Sequence, residues 1–297
     1  MEITANSYFC GAGLFDSGLI QGGIKIGQAF ELDRQACKTY AYNLGNHIRQ
    51  CDLTEELVLE QDSCDIMVFT YPCTKYSVAA DLFGTRTGDE LFLHALRHIA
   101  IASPEGFIVE NVPGMKAFPV VMETLLHLPQ YYTQLFCPVD ANLWLPQNRK
   151  RIIIFASKRD FPLRSPENMR PVTLAEIMEH DVEMVIPESV RTRMNGGYRD
   201  LPIISDPSQS DIAPLCVAHY SKDRSTRLVV DKNSINYKGV RPYTVREYAR
   251  LQGVSDDFKF PVTMCEAFRQ IGNGVPIPFG IWLGQELIRY FKMKRFM

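Results

Sequence analysis

Residues 7–31, SYFCGAGLFDSGLIQGGIKIGQAFE, decide the fold. An apolar run, Ser7–Cys10, stops at a glycine-rich turn, Phe9-Cys10-Gly11-Ala12-Gly13, and a second run, Lys25–Glu31, ends on an acid. Glycines at a strand-to-helix turn let a ligand approach the backbone closely. The spacing of Gly11, Gly13 and Gly18 is not the dinucleotide fingerprint, so the turn by itself names no ligand. Glu31 lies 20 positions after Gly11 and closes a strand. A carboxylate there can accept hydrogen bonds from both hydroxyls of a ribose. Asp52, where a third strand would end, is placed to meet an adenine amino group. The plain alternative is that these are turn and capping residues; three suitable positions in order favour an adenosyl nucleotide.

The pattern continues outward. Apolar runs at Asp65–Thr70, Gly106–Val112 and Arg151–Ala156 read as strands. Arg34–Leu44, Asp89–Ala102 and Val120–Leu128 have helical periodicity. Strand and helix in alternation predict an α/β fold, a mostly parallel sheet with helices on both faces. From about Ser157 to Val240 the periodicity gives way to proline, glycine, serine and arginine (RSPENMRP, RMNGGYRDLP, SDPSQSDIAP). A structureless loop of that length does not suit a compact domain, so a small second domain is expected. Helical character returns at Tyr243–Leu251 and Pro278–Phe291, which predicts an interrupted core completed by the C-terminal segment.

Composition narrows the class. With 297 residues, 46% hydrophobic and 22% charged, the chain suits a soluble globular protein. No basic leader precedes an apolar run, and no run approaches the ~18 residues that span a bilayer. The eight cysteines are scattered without CxxC pairs, which predicts reduced thiols and a cytoplasmic location rather than a disulfide framework. His94 and His98 are four apart on a predicted helix, but no carboxylate motif accompanies them; a packed or solvated face is expected and no metal. The net charge of −2 conceals an asymmetry: residues 147–250 hold 18 Lys and Arg against 13 Asp and Glu, a net +5, which leaves −7 on the remainder. A basic segment suits a face that meets phosphates.

Three further features carry chemistry. Tyr71-Pro72-Cys73-Thr74-Lys75-Tyr76-Ser77 follows a strand, and a cysteine on such a loop lies in the crevice where parallel sheets bind ligands. Glu110-Asn111-Val112 ends the next strand with a carboxylate at the same edge. Gln147-Asn148-Arg149-Lys150-Arg151 enters an apolar strand with Arg149 and Arg151 on one side of it. A nucleophile, an acid and an arginine pair at one sheet edge suit catalysis better than packing.

With these motifs in this order, the chain resembles the DNA cytosine-5 methyltransferase family. The similarity comprises FCGAG at residues 9–13, Pro72-Cys73, Glu110-Asn111-Val112, Gln147-x-Arg149-x-Arg151, RPYTVREYARLQG at 241–253 and GNGVP at 272–276. It spans roughly residues 5–156 and 241–290.

The resemblance implies a Rossmann-like methyltransferase core. Residues 1–156 would form the catalytic and cofactor-binding domain, 157–240 a target-recognition domain, and 241–297 the segment completing the catalytic domain. It implies S-adenosyl-L-methionine as cofactor, S-adenosyl-L-homocysteine as product and double-stranded DNA as partner. Cys73 would attack cytosine C6, Glu110 would meet N3 and the exocyclic amine, and Arg149 and Arg151 would hold the base carbonyl or a phosphate. The target base would have to leave the stack. Phe9, Gly11, Ala12, Gly13, Leu14, Glu31, Leu32, Asp52, Leu53, Pro72, Leu91, Asn273 and Val275 would line the cofactor site. Ser77, Asn195, Arg199, Arg224 and Arg227 are the expected DNA contacts.

Arg246 and Glu247 are read as a structural ion pair. A monomer is expected, with a separately encoded restriction endonuclease as a candidate companion and no membrane partner. Two departures stand out: Thr74 replaces the family's usual Gln and Tyr76 its Phe. Leu32 stands where an aromatic is common. A tRNA cytosine-5 methyltransferase would carry a Cys-Phe-Thr signature, which is absent here. A catalytically idle DNA-binding relative would have lost Cys73, Glu110 or the arginines. A small-molecule methyltransferase would not need the set together.

Overall fold

The computed structural model describes residues 2–58, 64–72, 90–167, 171–231 and 237–294. They group into two compact units, one of residues 1–140, 150–166 and 277–297, the other of 141–149 and 167–276. Contacts thus place 241–276 with the second unit, and of the C-terminal segment only 277–297 with the first.

Among the described residues, the first unit has seven strands: β1 (Thr4–Tyr8), β2 (Lys25–Glu31), β3 (Ile48–Gln50), β4 (Ile66–Phe69), β5 (Gly106–Asn111), β6 (Tyr132–Asp140) and β7 (Lys150–Ser157). They form one sheet in the order β3-β2-β1-β4-β5-β7-β6. The first five run parallel, while β7 pairs antiparallel with both β5 and β6. Every residue of β4 and β5 is buried, as expected for central strands covered on both faces. Helices α1 (Leu14–Gln21), α2 (Arg34–Leu44), α3 (Glu90–Ala102), α4 (Pro119–Leu126) and α9 (Ile277–Lys294) belong to this unit.

Local chemistry sets the boundaries. Asp33 caps α2 by accepting the Ala36 N–H at 2.8 Å. The first strand ends at Tyr8, two residues before the expected Cys10, because Phe9 turns to a φ of 61°. The C-terminal helix seats on α1 along a glycine seam: a Cβ on Gly18 would lie 2.2 Å from the Ile277 carbonyl oxygen, and one on Gly280 2.5 Å from that of Phe15. Strand β6 carries no clear sequence signal. It is a half-exposed edge strand, and its pairing shifts register between Phe136 and Val139, across Pro138.

The second unit contains α5 (Leu174–Ile177), α6 (Glu188–Met194), α7 (Val245–Arg250) and α8 (Met264–Asn273), with strands β8 (Ile203–Ser205), β9 (Arg227–Val230) and β10 (Val240–Pro242). The strands form a small sheet in the order β10-β9-β8. Thr173 with Glu176, and Thr244 with Glu247, form capping boxes on α5 and α7.

The expected Arg246–Glu247 pair is not formed. Adjacent helical residues point about 100° apart, and Glu247 instead receives Arg241 through two bonds, of 2.6 and 2.7 Å. Arg246 donates to the Ser255 and Phe258 carbonyls. His98 is a packed histidine, 1% exposed, whose Nε2 accepts the Val58 N–H at 3.1 Å. No metal-binding cluster and no helix long and apolar enough to cross a membrane occur among the described residues.

Candidate active site

The glycine turn follows β1 and opens α1. Gly11 and Gly13 take φ values of 59° and 84°, which L side chains avoid. A Cβ on Gly13 would strike the Tyr40 ring at 2.6 Å, while one on Gly11 would meet nothing within 4 Å. The loop is therefore tight against the protein on one side and open at Gly11 on the other. Glu31 ties the end of β2 to it: one carboxylate oxygen accepts the Gly11 N–H at 2.8 Å and the other the Asp33 N–H at 2.8 Å. Burial raises the pKa of this carboxyl, against the opposing pull of those N–H groups.

The rest of the expected adenosyl site is distributed as follows. Leu32 is 59% exposed beside Glu31, whereas Ala12, Leu14 and Leu53 are buried and Leu91 is half-buried. The Asp52 carboxylate is held by the Thr54 N–H and hydroxyl at 2.8 and 2.7 Å, which lowers its pKa. Open space at Gly11, a fixed carboxylate at a strand end and an exposed apolar side chain beside it fit an adenosyl group. Asn273 and Val275 belong to the second unit, the first exposed at the end of α8 and the second buried.

Beneath the loop lies a buried polar cluster with no counterpart in the sequence reading. Asp16 is 1% exposed and accepts the Ser7 hydroxyl at 2.7 Å and the Tyr40 hydroxyl at 2.8 Å. The Tyr40 oxygen also lies 3.1 Å from His47 Nε2. Burial raises the Asp16 pKa to about 6, although both hydroxyl bonds oppose the rise.

At the ends of β4 and β5 stands the candidate catalytic group. Cys73, and with it Ser77, lies outside the described residues. The approach to it is described. Asn111 donates from Nδ2 to the Tyr71 carbonyl at 3.1 Å while its Oδ1 accepts the Val112 N–H at 2.9 Å. Thr70 donates its hydroxyl to the Phe9 carbonyl at 3.0 Å, and the Phe9 and Tyr71 rings meet edge to face. The strand leading to Pro72 is thus tied to both the glycine turn and β5. Pro72 itself is exposed.

Glu110 pairs with Arg151, its Oε1 lying 2.9 Å from Nε, with side chains 6% and 12% exposed. Sheet register brings them together: Glu110 stands opposite Ile153, so Arg151 is its diagonal neighbour on the same face. A carboxylate and a guanidinium in mutual contact at a strand end can present fixed charge to a polar ligand.

Arg149 is differently employed. It precedes β7, belongs to the second unit and is 2% exposed. Its guanidinium donates to the carbonyls of Cys216 at 2.9 Å, Gly272 at 2.9 Å and Gly274 at 2.7 Å. Gln147 and Gln252 extend the network to the Leu251 and Ile271 carbonyls. Of the expected DNA contacts described, Asn195 and Arg199 are exposed, Arg224 is half-buried, and Arg227 donates to the Leu215 carbonyl and the Thr226 hydroxyl.

Known proteins resemble the chain over most of its length. The model of the C-5 cytosine-specific DNA methylase family matches residues 3–198 and 189–289. Type II methyltransferase M.HpaII of Haemophilus parainfluenzae is 29% identical over 93% of this chain and 87% of its own. Type II methyltransferase M1.ScrFI of Lactococcus lactis subsp. cremoris is 30% identical over 84% of this chain and 68% of its own. Among solved structures, Entamoeba histolytica methyltransferase EhMeth superposes with a TM-score of 0.79 at 17% identity, covering 98% of this chain and 99% of that one. The S. pombe Dnmt2 methyltransferase gives 0.78 at 17% identity with the same coverage. The chain belongs to the C-5 cytosine-specific DNA methylase family.

Proposed function

We propose that the protein transfers a methyl group from S-adenosyl-L-methionine to C5 of a flipped cytosine in a specific DNA sequence, through a covalent adduct of Cys73 with C6. The observation that carries this reading is the Glu110–Arg151 pair, nearly buried at the end of β5 beside the strand that leads to Pro72. Cytosine C5 is too weak a nucleophile to attack a sulfonium methyl unaided. Addition of the Cys73 thiolate to C6 makes C5 enamine-like and moves charge toward N3. Glu110 gives a proton to N3 as that charge develops, accepts the exocyclic amine with its other oxygen and takes the proton back when the thiolate leaves. Arg151 holds the resulting carboxylate while offering its remaining N–H groups to the base carbonyl or a phosphate.

Bound at the glycine turn, S-adenosyl-L-methionine supplies the electrophilic methyl group. Glu31 would hold its ribose hydroxyls, Asp52 its adenine amine, and the open side of Gly11 would admit its close approach. After transfer the C5 proton leaves to a base, for which water suffices, and the thiolate is expelled. Arg149, with three backbone carbonyls on its guanidinium, is inferred to shape the 272–276 turn rather than to touch the base. The names of the Type II relatives support a restriction–modification setting with a separately encoded endonuclease.

The test incubates the protein with labelled cofactor and plasmid DNA and maps 5-methylcytosine by bisulfite sequencing. Label confined to cytosines in one sequence context is expected; no label on DNA, or equal label on tRNA, refutes the reading. On DNA containing 5-fluorocytosine, Cys73→Ser should abolish covalent trapping, whereas Cys10→Ser, at a buried thiol, should preserve it.

A further inference from the structure

Two surface loops of the second unit carry Asn195, Arg199 and Arg224, and one buried arginine joins them. Arg193, the penultimate residue of α6, is 8% exposed. Its Nη1 donates to the Asp200 carbonyl at 2.7 Å, at the far end of the loop that follows the helix. Its Nε donates to the Ser225 hydroxyl at 2.7 Å, and its Nη2 meets the Asp223 carboxylate at 2.6 Å, both on the loop that leads into β9. The guanidinium also lies 4.4 Å from the centre of the Tyr198 ring.

Asp223 is further bonded to the Ser225 hydroxyl and, at 3.0 Å, to the Ser225 N–H, so the backbone on both sides of Arg224 is pinned. Burial alone would raise the Asp223 pKa, but the bonds from Ser225 and Arg193 outweigh it and hold the carboxyl below its usual range. Asn195, at the start of the first loop, receives the Lys238 ammonium at 3.1 Å. Arg193 and Ser225 are buried and Asp223 is half-buried, while Arg199 stands exposed.

We propose that Arg193 is a positioning residue that locks residues 195–200 and 223–226 into a single DNA-reading surface, from which Arg199 and Arg224 address guanine edges in the major groove. The inference rests on the methylase reading given above and adds to it the residues that set sequence preference. A guanidinium matches the two acceptors of guanine, O6 and N7, through a pair of parallel N–H bonds. Such a match discriminates only if the loop that presents it is already ordered, because a mobile loop can adapt to the wrong base and loses more entropy on binding. A planar group with donors in three directions can tie two loops to one helix; a single ammonium cannot satisfy all of these partners at once.

The test scores base preference rather than activity alone. Wild type, Arg193→Met, Arg193→Lys, Arg199→Ala and Arg224→Ala are each given a duplex library with randomised flanks around cytosine, and methylated positions are read by bisulfite sequencing. Folding is followed by thermal denaturation, and cofactor affinity by calorimetry with S-adenosyl-L-homocysteine. Arg193→Met is expected to keep cofactor affinity within about twofold while losing roughly tenfold or more of its discrimination for guanine, the size of one good bidentate contact. Arg193→Lys should recover part of that loss, and Arg199→Ala and Arg224→Ala should each relax one guanine position.

A folded Arg193→Met protein with unchanged base preference would overturn the positioning role. Unchanged preference in both Arg199→Ala and Arg224→Ala would overturn the reading surface. If Arg193→Met does not fold, Asp223→Asn, which keeps the size of the side chain and removes its charge, is held to the same two outcomes. A wild-type protein that methylates no member of the library overturns the methylase reading and this inference together, which separates that failure from the others.

Discussion

Replacing Asp16 by asparagine should stabilise the protein near neutral pH, and the gain should depend on pH in a defined way. Asp16 is 1% exposed, and burial lifts its pKa from 3.8 to about 6. An unfolded chain loses this proton near pH 4 and the folded protein near pH 6, so between them the folded state binds more protons. Stability therefore falls as pH rises across that window, and the full cost of the buried charge stands above it. A shift of about two units corresponds to roughly 3 kcal/mol at 1.36 kcal/mol per unit. Asparagine keeps the shape, can accept the Ser7 hydroxyl and can donate to the Tyr40 oxygen, whose own proton can turn to His47. Urea unfolding of wild type and Asp16→Asn from pH 4 to 8 should show a stability difference near zero at the acid end. It should grow to about 3 kcal/mol above pH 7. A difference that does not vary with pH, or a variant less stable than wild type at pH 7.5, would show that the Asp16 carboxyl is not a buried charge beneath the glycine turn.

Other substitutions separate the roles assigned to the remaining residues. Glu110→Gln should lower kcat by roughly 10²- to 10⁴-fold, the range for a positioned proton-transfer group, and leave cofactor affinity unchanged; a loss below tenfold would remove Glu110 from the chemistry. Arg149→Met strips donors from three carbonyls and should cost about 3–5 kcal/mol in urea unfolding. Its rate per folded molecule should fall less than that of Arg151→Met, and the reverse order would return Arg149 to the reacting base. Leu32→Trp, at a position 59% exposed, should tighten S-adenosyl-L-homocysteine binding about two- to tenfold, the worth of one aromatic stacking contact. Equal or weaker binding by calorimetry would place the adenine elsewhere.

What the sequence made legible was what local pattern governs. The second strand, Lys25–Glu31, and the helix Arg34–Leu44 appear with the expected boundaries, because an uninterrupted apolar run and an Asp33 cap specify them without help from distant residues. The pairing of Glu110 with Arg151 was foreshadowed by their placement at strand ends. Contact itself required the antiparallel register of β5 and β7, which no motif states. Arg149 shows the limit: its motif position suits a catalytic arginine, but three carbonyls from segments 67 to 125 residues away occupy its guanidinium. Arg246 and Glu247 fail as a pair for the opposite reason. They are adjacent in sequence, and helical geometry turns them apart.

Two residues with no sequence signal, Asp16 and Arg193, share one physical role with Asn111 of the Glu110-Asn111-Val112 motif. Asp16, Asn111 and Arg193 are each nearly buried, at 1%, 2% and 8% exposure; Asn111 and Arg193 bond to the loop segments themselves, and Asp16 bonds to Ser7 and to Tyr40, whose ring backs Gly13 of the glycine turn. Asp16 sits under the glycine turn, Asn111 holds the carbonyl two residues before Cys73, and Arg193 joins the loops that bear Arg199 and Arg224. A loop that presents polar groups to a ligand cannot be ordered by an apolar core of its own, and its backbone N–H and C=O groups need partners when the ligand is absent. A buried side chain with several hydrogen-bonding atoms meets both needs, provided that all of its atoms are satisfied. Such anchors are set by tertiary packing, so they leave no periodicity to read. In this protein, therefore, motifs point to the groups proposed to meet substrate, and burial points to the groups that hold their segments in place.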